Sequence, residues 1–296
     1  MTEGERGAGG GPGDAGGAGG DRAGPERTAA GGRADGASVL DRAFAAWRAE
    51  GRTAFVPYLT FGYPSPEATP RLLRGLAEAG ADVVELGVPF SDPLADGPTI
   101  QRASWAALER GASLEGALEL LEEAADDLPP VVLFSYLNPI LRMGIEPFAR
   151  RAARAGAAGL LVTDLPVGTD LGMERRLAGA GPDLIRLVAP TTPDERLEHI
   201  AGDASGFLYY ISRTGVTGER EELAEGLGEA VAALREKVEL PVAVGFGVST
   251  PEQAAEVAAV ADGVVVGSAL ISALGESEEA FLALAAELAE AVHGPG

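Results

Sequence analysis

Of the three acidic side chains in the run ELGVPFSDPLADGPTIQ, which spans Glu85–Gln101, Glu85 and Asp96 are the two whose placement suggests chemistry. Glu85 follows Asp82-Val83-Val84 and continues a buried-strand pattern, so it is expected at the mouth of a strand. A carboxylate in such a place must be paired, neutral or functional. Asp96 lies on the following loop, which Pro89, Pro93 and Pro98 stiffen. Two carboxylates presented this way suit proton transfer to and from a substrate carbon and nitrogen. A solvated acidic turn is the bland alternative, and the apolar approach to Glu85 argues against it.

The rest of the inventory narrows the chemistry. The chain has no cysteine, which removes disulfides, thiolate nucleophiles and thiolate metal sites. Of its 23 basic residues only Lys237 is a lysine, and it is expected just before the seventh strand, away from the active face. A Schiff base there is not supported. The two histidines, His199 and His293, are expected as ordinary helix-surface side chains that do not converge on a metal or a nucleophile. What remains is carboxylate acid–base chemistry assisted by hydroxyls, Asn138 and backbone N–H groups.

The 296 residues are 46% hydrophobic, enough for one large core or two small ones, and carry a net charge of -22. A field of that sign repels nucleic acid and anionic membranes. It also repels phosphate esters, so any such substrate must be captured by local backbone dipoles. No apolar run reaches the length of a membrane span and no signal peptide opens the chain, so a cytoplasmic location is expected.

These side chains need elements to hold them. Residues 1–36 carry 14 glycines and few large apolar groups, which predicts a disordered tail, with a catalytic domain over 37–296. Ser38 is a candidate N-cap for a first helix through Val39, Leu40, Phe44 and Trp47. Eight apolar runs then alternate with helical stretches: Thr53–Thr60, Asp82–Leu86, Val131–Ser135, Gly159–Thr163, Leu184–Ala189, Phe207–Ser212, Pro241–Val244 and Gly263–Val266. Ser65-Pro66-Glu67, Thr192-Pro193-Asp194 and Thr250-Pro251-Glu252 each offer a capping hydroxyl, a proline and an acid at a helix start. Gly80, Gly111 and Gly156 stand where helices should stop. Runs rich in Val, Leu and Ile without polar alternation suit buried parallel strands. Eight strand–helix units predict a (β/α)8 TIM barrel with an extra N-terminal helix. A doubly wound open sheet is the alternative, and Thr60-Phe61-Gly62-Tyr63-Pro64 lacks its nucleotide fingerprint.

In a barrel the active site lies at the C-terminal ends of the strands. Tyr58, Thr60, Glu85, Asn138, Asp164, Tyr209 and Phe246 are expected there. Gly245-Phe246-Gly247 and Gly267-Ser268 fall after strands seven and eight, and a short helical piece, Ala269–Ala273, follows. Glycine turns in those two loops with an extra helix suit a phosphate cradle. The polar loop Ser212–Arg220 suits a lid.

From Ser38 onward the chain resembles the tryptophan synthase alpha chain family. The resemblance is carried by Phe55-Val56-Pro57-Tyr58-Leu59-Thr60, the Glu85–Gln101 run, Asn138-Pro139, Asp164-Leu165-Pro166, Ser212–Gly218, Gly245-Phe246-Gly247 and Gly267-Ser268. One departure is Val167-Gly168, where the family often has Pro and Glu. The resemblance implies retro-aldol cleavage of indole-3-glycerol phosphate to indole and glyceraldehyde 3-phosphate. It implies Glu85 as general acid/base and Asp96 as the group that holds the indole N–H. Tyr209 and Thr217 would support them. Tyr58, Leu161 and Phe246 would wall the indole, and Gly218, Gly247, Gly267 and Ser268 would hold the phosphate. It also implies an α2β2 assembly with a beta chain that carries pyridoxal phosphate, addressed through the loop bearing Asp92 and the lid. This chain itself would need no cofactor or metal. A free-standing indole-releasing enzyme, a non-catalytic phosphate binder and a phosphosugar isomerase remain as rivals.

Overall fold

The computed structural model describes residues 36–124, 127–211, 226–245 and 247–294. Eight parallel strands close into a barrel in chain order. They are β1 (Ala54–Thr60), β2 (Val84–Gly87), β3 (Val131–Ser135), β4 (Gly159–Val162), β5 (Asp183–Val188), β6 (Leu208–Ile211), β7 (Val242–Gly245) and β8 (Gly263–Val266). Around them run α1 (Val39–Ala49), α2 (Thr69–Glu78), α3 (Pro98–Glu109), α4 (Leu114–Ala124), α5 (Leu137–Met143) and α6 (Ile145–Arg154). The second half adds α7 (Leu171–Ala178), α8 (Asp194–Asp203), α9 (Leu227–Lys237), α10 (Pro251–Ala258), α11 (Ser268–Glu276) and α12 (Glu278–His293). The expected disordered tail lies outside the described residues. Among those described, no helix is long and apolar enough to cross a membrane.

The register decides which side chains face the axis. Tyr58 pairs with Glu85, Glu85 with Val132, and Phe134 with Leu161. Leu161 pairs with Ile185, Leu187 with Tyr209, and Tyr209 with Ala243. Alternate residues point to opposite faces of a strand, so one set of alternate positions turns inward all around the ring. The outward set packs under the helices, which is why nearly every strand position is buried and the strands lack polar alternation.

The N-terminal end of the barrel is plugged by α1. Phe44 lies against Phe207 with ring centroids 5.4 Å apart, and a Cβ on Gly159 would fall 3.3 Å from Leu40 Cδ1. Arg48 fastens this helix by a bidentate pair to Asp262, at 2.9 Å for each bond. Asp262 also accepts the N–H of Val242 at 2.8 Å.

Helix starts follow their caps, with two corrections. Ser38 forms a full capping box with Asp41, and Thr250 accepts the N–H of Gln253. Ser65 instead caps a turn, accepting the N–H of Ala68, and α2 begins only at Thr69. Thr192 accepts the N–H of Ala189, so it closes the preceding turn and leaves Pro193 in the capping position of α8. Gly80, Gly111 and Gly156 do follow helix ends, all with positive φ. His199 is exposed, as expected. His293 is not a plain surface residue: its Nε2 lies 2.8 Å from Asp82 Oδ2, and Arg52 holds the other oxygen of that carboxylate at 2.7 Å.

Candidate active site

Glu85 is the second residue of β2, not its last, so it sits below the rim and inside the barrel. It is 1% exposed. Its Oε1 is buried with no hydrogen-bond partner among the described residues. Burial pushes its carboxyl up to about 8, because the charged form has lost its water without gaining a cation. The group is therefore protonated at neutral pH.

Asp96 lies on the loop after β2 and is 4% exposed. Burial pushes its carboxyl up to about 7, against a lowering contribution from Tyr136. Tyr136 donates to Asp96 Oδ2 at 3.0 Å and accepts the N–H of Ala95 at 3.0 Å. Sequence reasoning missed Tyr136. It follows Ser135 at the end of β3, in the same alternation as the inward Val132 and Phe134, and that parity was the available signal.

Two tyrosines lean across the barrel mouth. A Cβ on Gly87 would fall 2.0 Å from the Tyr58 hydroxyl, and one on Gly245 would fall 2.2 Å from that of Tyr209. Only glycine leaves room for these rings. Both phenols are driven well above their ordinary range, first by burial. The next contributor is the charge of Asp96 for Tyr58 and that of Glu85 for Tyr209. The two tyrosines and two carboxyls thus share one dry field. Tyr58 also packs edge-on against Phe134, with centroids 5.5 Å apart, and the fully buried Leu161 is Phe134's neighbour across β4.

The glycine turns lie next to this cluster. Gly267 caps α11 with no side-chain hydrogen bond, so the first N–H groups of that helix have no intrahelical partner. The Cβ of Tyr58 lies 3.5 Å from where a Cβ on Gly267 would stand, which ties the Gly267-Ser268 turn to the strand pair that carries Glu85. Gly247 has φ +101°, and open space surrounds the position of its missing side chain. α11 runs from Ser268 to Glu276, longer than the expected Ala269–Ala273 piece.

Comparison with known proteins resolves what this barrel is. The sequence model of the family described as "Tryptophan synthase alpha chain" matches residues 44–293. The chain belongs to the tryptophan synthase alpha chain family. It is 48% identical over 240 residues to the tryptophan synthase alpha chain of Phenylobacterium zucineum, covering 80% of this chain and 87% of the relative. The alpha chain of Caulobacter vibrioides is 47% identical over 262 residues, covering 86% and 95%. A structure of Mycobacterium tuberculosis tryptophan synthase superposes with a TM-score of 0.82 at 39% identity, over 88% of this chain and 100% of that one. Tryptophan synthase subunit alpha of Legionella pneumophila gives 0.80 at 36% identity, over 87% and 99%.

Against that family, the residues expected at the site divide into two groups. Glu85, Asp96, Tyr58, Tyr209 and Leu161 come together inside the mouth, with the Gly267-Ser268 turn against Tyr58. Thr217, Gly218 and Phe246, and the expected lid that holds the first two, lie outside the described residues. Two further candidates from the sequence lie on the turn after β4 and at the start of α5. Asp164 Oδ1 accepts the N–H of Leu137 at 2.6 Å, and Asn138 is exposed in the first turn of α5. Lys237 pairs with Asp194 at 2.7 Å on the outer helices.

Proposed function

We infer that this chain is a lyase that cleaves indole-3-glycerol phosphate to indole and glyceraldehyde 3-phosphate, the alpha reaction of tryptophan biosynthesis. The observation that carries the residue assignment is Glu85. It is a carboxyl kept protonated by burial, with one oxygen free of partners among the described residues, and its strand neighbour Tyr58 lies against a glycine turn suited to a phosphate. In this reading Glu85 delivers its proton to C3 of the indole. The resulting carboxylate then takes the proton of the neighbouring side-chain hydroxyl as the carbon–carbon bond breaks. The aldehyde leaves, and the acid is restored.

Asp96, in its ionised form, accepts the indole N–H and stabilises positive charge developing on the ring. Tyr58, Leu161 and Phe246 wall the indole. Tyr209 flanks Glu85, and Thr217 reaches Asp96 from the lid. Gly218, Gly247, Gly267 and Ser268 bind the phosphate through backbone N–H groups, which overcomes the repulsion of a chain at net charge -22.

The proposal includes an α2β2 assembly with a beta chain that holds pyridoxal phosphate. It is supported by exposed apolar side chains at the loop that bears Asp92, where Leu94 is 83% exposed and the exposed Trp105 donates its indole N–H to the Ser91 carbonyl at 3.0 Å. The test is an assay of indole released from indole-3-glycerol phosphate, with and without a beta chain. Release that is accelerated by the beta chain supports the reading. Release without acceleration favours a free-standing enzyme, and no release in either case overturns the assignment.

A further inference from the structure

Beneath the turn that follows β4 lies a charged cluster with no part in the chemistry above. Arg186 on β5 alternates with the inward Ile185 and Leu187, so it points outward into the helix layer. It is 4% exposed, and Glu174 on α7 is 1% exposed. Arg186 Nη2 donates to Glu174 Oε2 at 2.7 Å and also to Asp203 at the end of α8. Its Nη1 donates to the carbonyl of Leu165 at 3.1 Å. Glu174 in turn accepts the N–H of Gly168 at 3.1 Å and that of Asp170 at 3.2 Å. The cluster therefore grips three backbone groups between residues 165 and 170. Buried ion pairs are often no more stabilising than apolar packing of the same volume, so stability alone does not account for this one.

The upstream end of the same turn reaches the site. Asp164 Oδ1 accepts the N–H of Leu137 at 2.6 Å, and the Thr163 hydroxyl is a polar neighbour of the Tyr136 phenol. Tyr136 donates to Asp96. A continuous path runs from Arg186 through Leu165, Asp164, Leu137 and Tyr136 to Asp96. We propose that the cluster of buried Arg186 and Glu174 with half-buried Asp203 is a positioning device for the Asp96 side of the site, clamping the turn at 163–170 so that Tyr136 stays against the Asp96 carboxyl. The proposal rests on the alpha reaction assigned above. The clamp closes on Gly168, whose φ of +83° shapes the turn so that its N–H meets Glu174.

Three phenols bear on Asp96, namely Tyr136 after β3, Tyr58 on β1 and Tyr209 on β6, and Glu85 on β2 acts on the last two as well. Of these, Tyr136 hydrogen-bonds the carboxyl and holds it down, so slackening the clamp raises it further. Two full-length variants test this. Arg186→Lys keeps the charge but loses the fork, and Glu174→Gln keeps the shape but loses the charge. Indole release from indole-3-glycerol phosphate is measured across pH beside the parent. The expected result is a fall in kcat of roughly ten- to a hundredfold, with KM changed little and the acid limb of the pH profile moved to higher pH. Should neither single variant fold, Arg186→Met/Glu174→Met replaces the buried pair by apolar volume, a change cores tolerate, and the same shift is expected of it. Folded variants whose profile superimposes on the parent's, or whose rate is lower by one factor at every pH, overturn the proposal. An inactive parent would instead overturn the functional reading, and this proposal with it.

Discussion

Tyr136 and Asp96, from separate loops at the barrel mouth, are joined by a 3.0 Å hydrogen bond in which the phenol donates to a carboxyl oxygen. The bond ties the end of β3 to the loop after β2, and the N–H of Ala95 donating to the same phenol at 3.0 Å completes the link. It opposes the burial that pushes Asp96 up to about 7. The proposed mechanism needs Asp96 ionised and Glu85 protonated.

Tyr136→Phe removes the donor and keeps the ring. Asp96 then rises further, and activity, which increases as Asp96 ionises, moves to higher pH. A hydrogen bond to a charged group is worth about 1.5–3 kcal/mol, so turnover near neutrality should fall by roughly tenfold or more. The pH profile of indole release checks this, and an unmoved acid limb would count against the role of Tyr136.

Glu85→Gln should abolish cleavage while leaving the barrel folded. It should also change how stability depends on pH. The folded-state value of about 8 lies above the ordinary 4.5. The protonated group therefore favours folding most at low pH, and this contribution is lost as pH rises through that window. The slope is at most about 1.4 kcal/mol per pH unit. The variant's stability relative to the parent should rise from pH 4.5 toward pH 8 in denaturant titrations.

Gly87→Ala places a methyl group 2.0 Å from the Tyr58 hydroxyl, so the ring must swing away from its place above β2. Overpacking of this kind costs about 1–3 kcal/mol. The loss of activity should exceed what the loss of folded protein explains, because Tyr58 stands beside both Glu85 and the Gly267 turn. Turnover per folded molecule, read with circular dichroism, decides it.

At the opposite end of the barrel, burial raises the Asp262 carboxyl, but the Arg48 bond and the Val242 N–H outweigh it and hold the group below its usual range. Its contribution to stability is present above the ordinary carboxylate value and lost as pH falls through the lower folded one. Asp262→Asn should cost about 2 kcal/mol at pH 7, and the deficit should shrink below about pH 4. Activity per folded molecule should be unchanged, since the residue lies at the plugged end.

The barrel was legible in the sequence because parallel strands covered on both faces must be apolar throughout, and β3 and β8 even begin and end where expected. The depth of Glu85 was not legible. It depends on which alternate set of residues closes inward, and only the register around the whole ring settles that. Tyr136 hid beside the more conspicuous Asn138-Pro139, and a tyrosine after an apolar strand resembles core filling. Arg186 interrupts an apolar strand, which marks a buried charge but not its partners, since Glu174 and Asp203 come from two different helices. Thr192 failed as a helix cap because its hydroxyl found the nearer N–H of Ala189. Such local competition is not visible from residue types alone.

The protonation state of Glu85 carries the mechanism, and titrating that one carboxyl tests it most directly. With 13C-labelled glutamate, the signal lost in Glu85→Gln identifies the residue in the parent's NMR spectrum. Its midpoint should lie near 8, alongside the alkaline limb of indole release. A midpoint near the ordinary 4.5 would mean a charged group at neutral pH and would contradict the assignment of Glu85 as the acid.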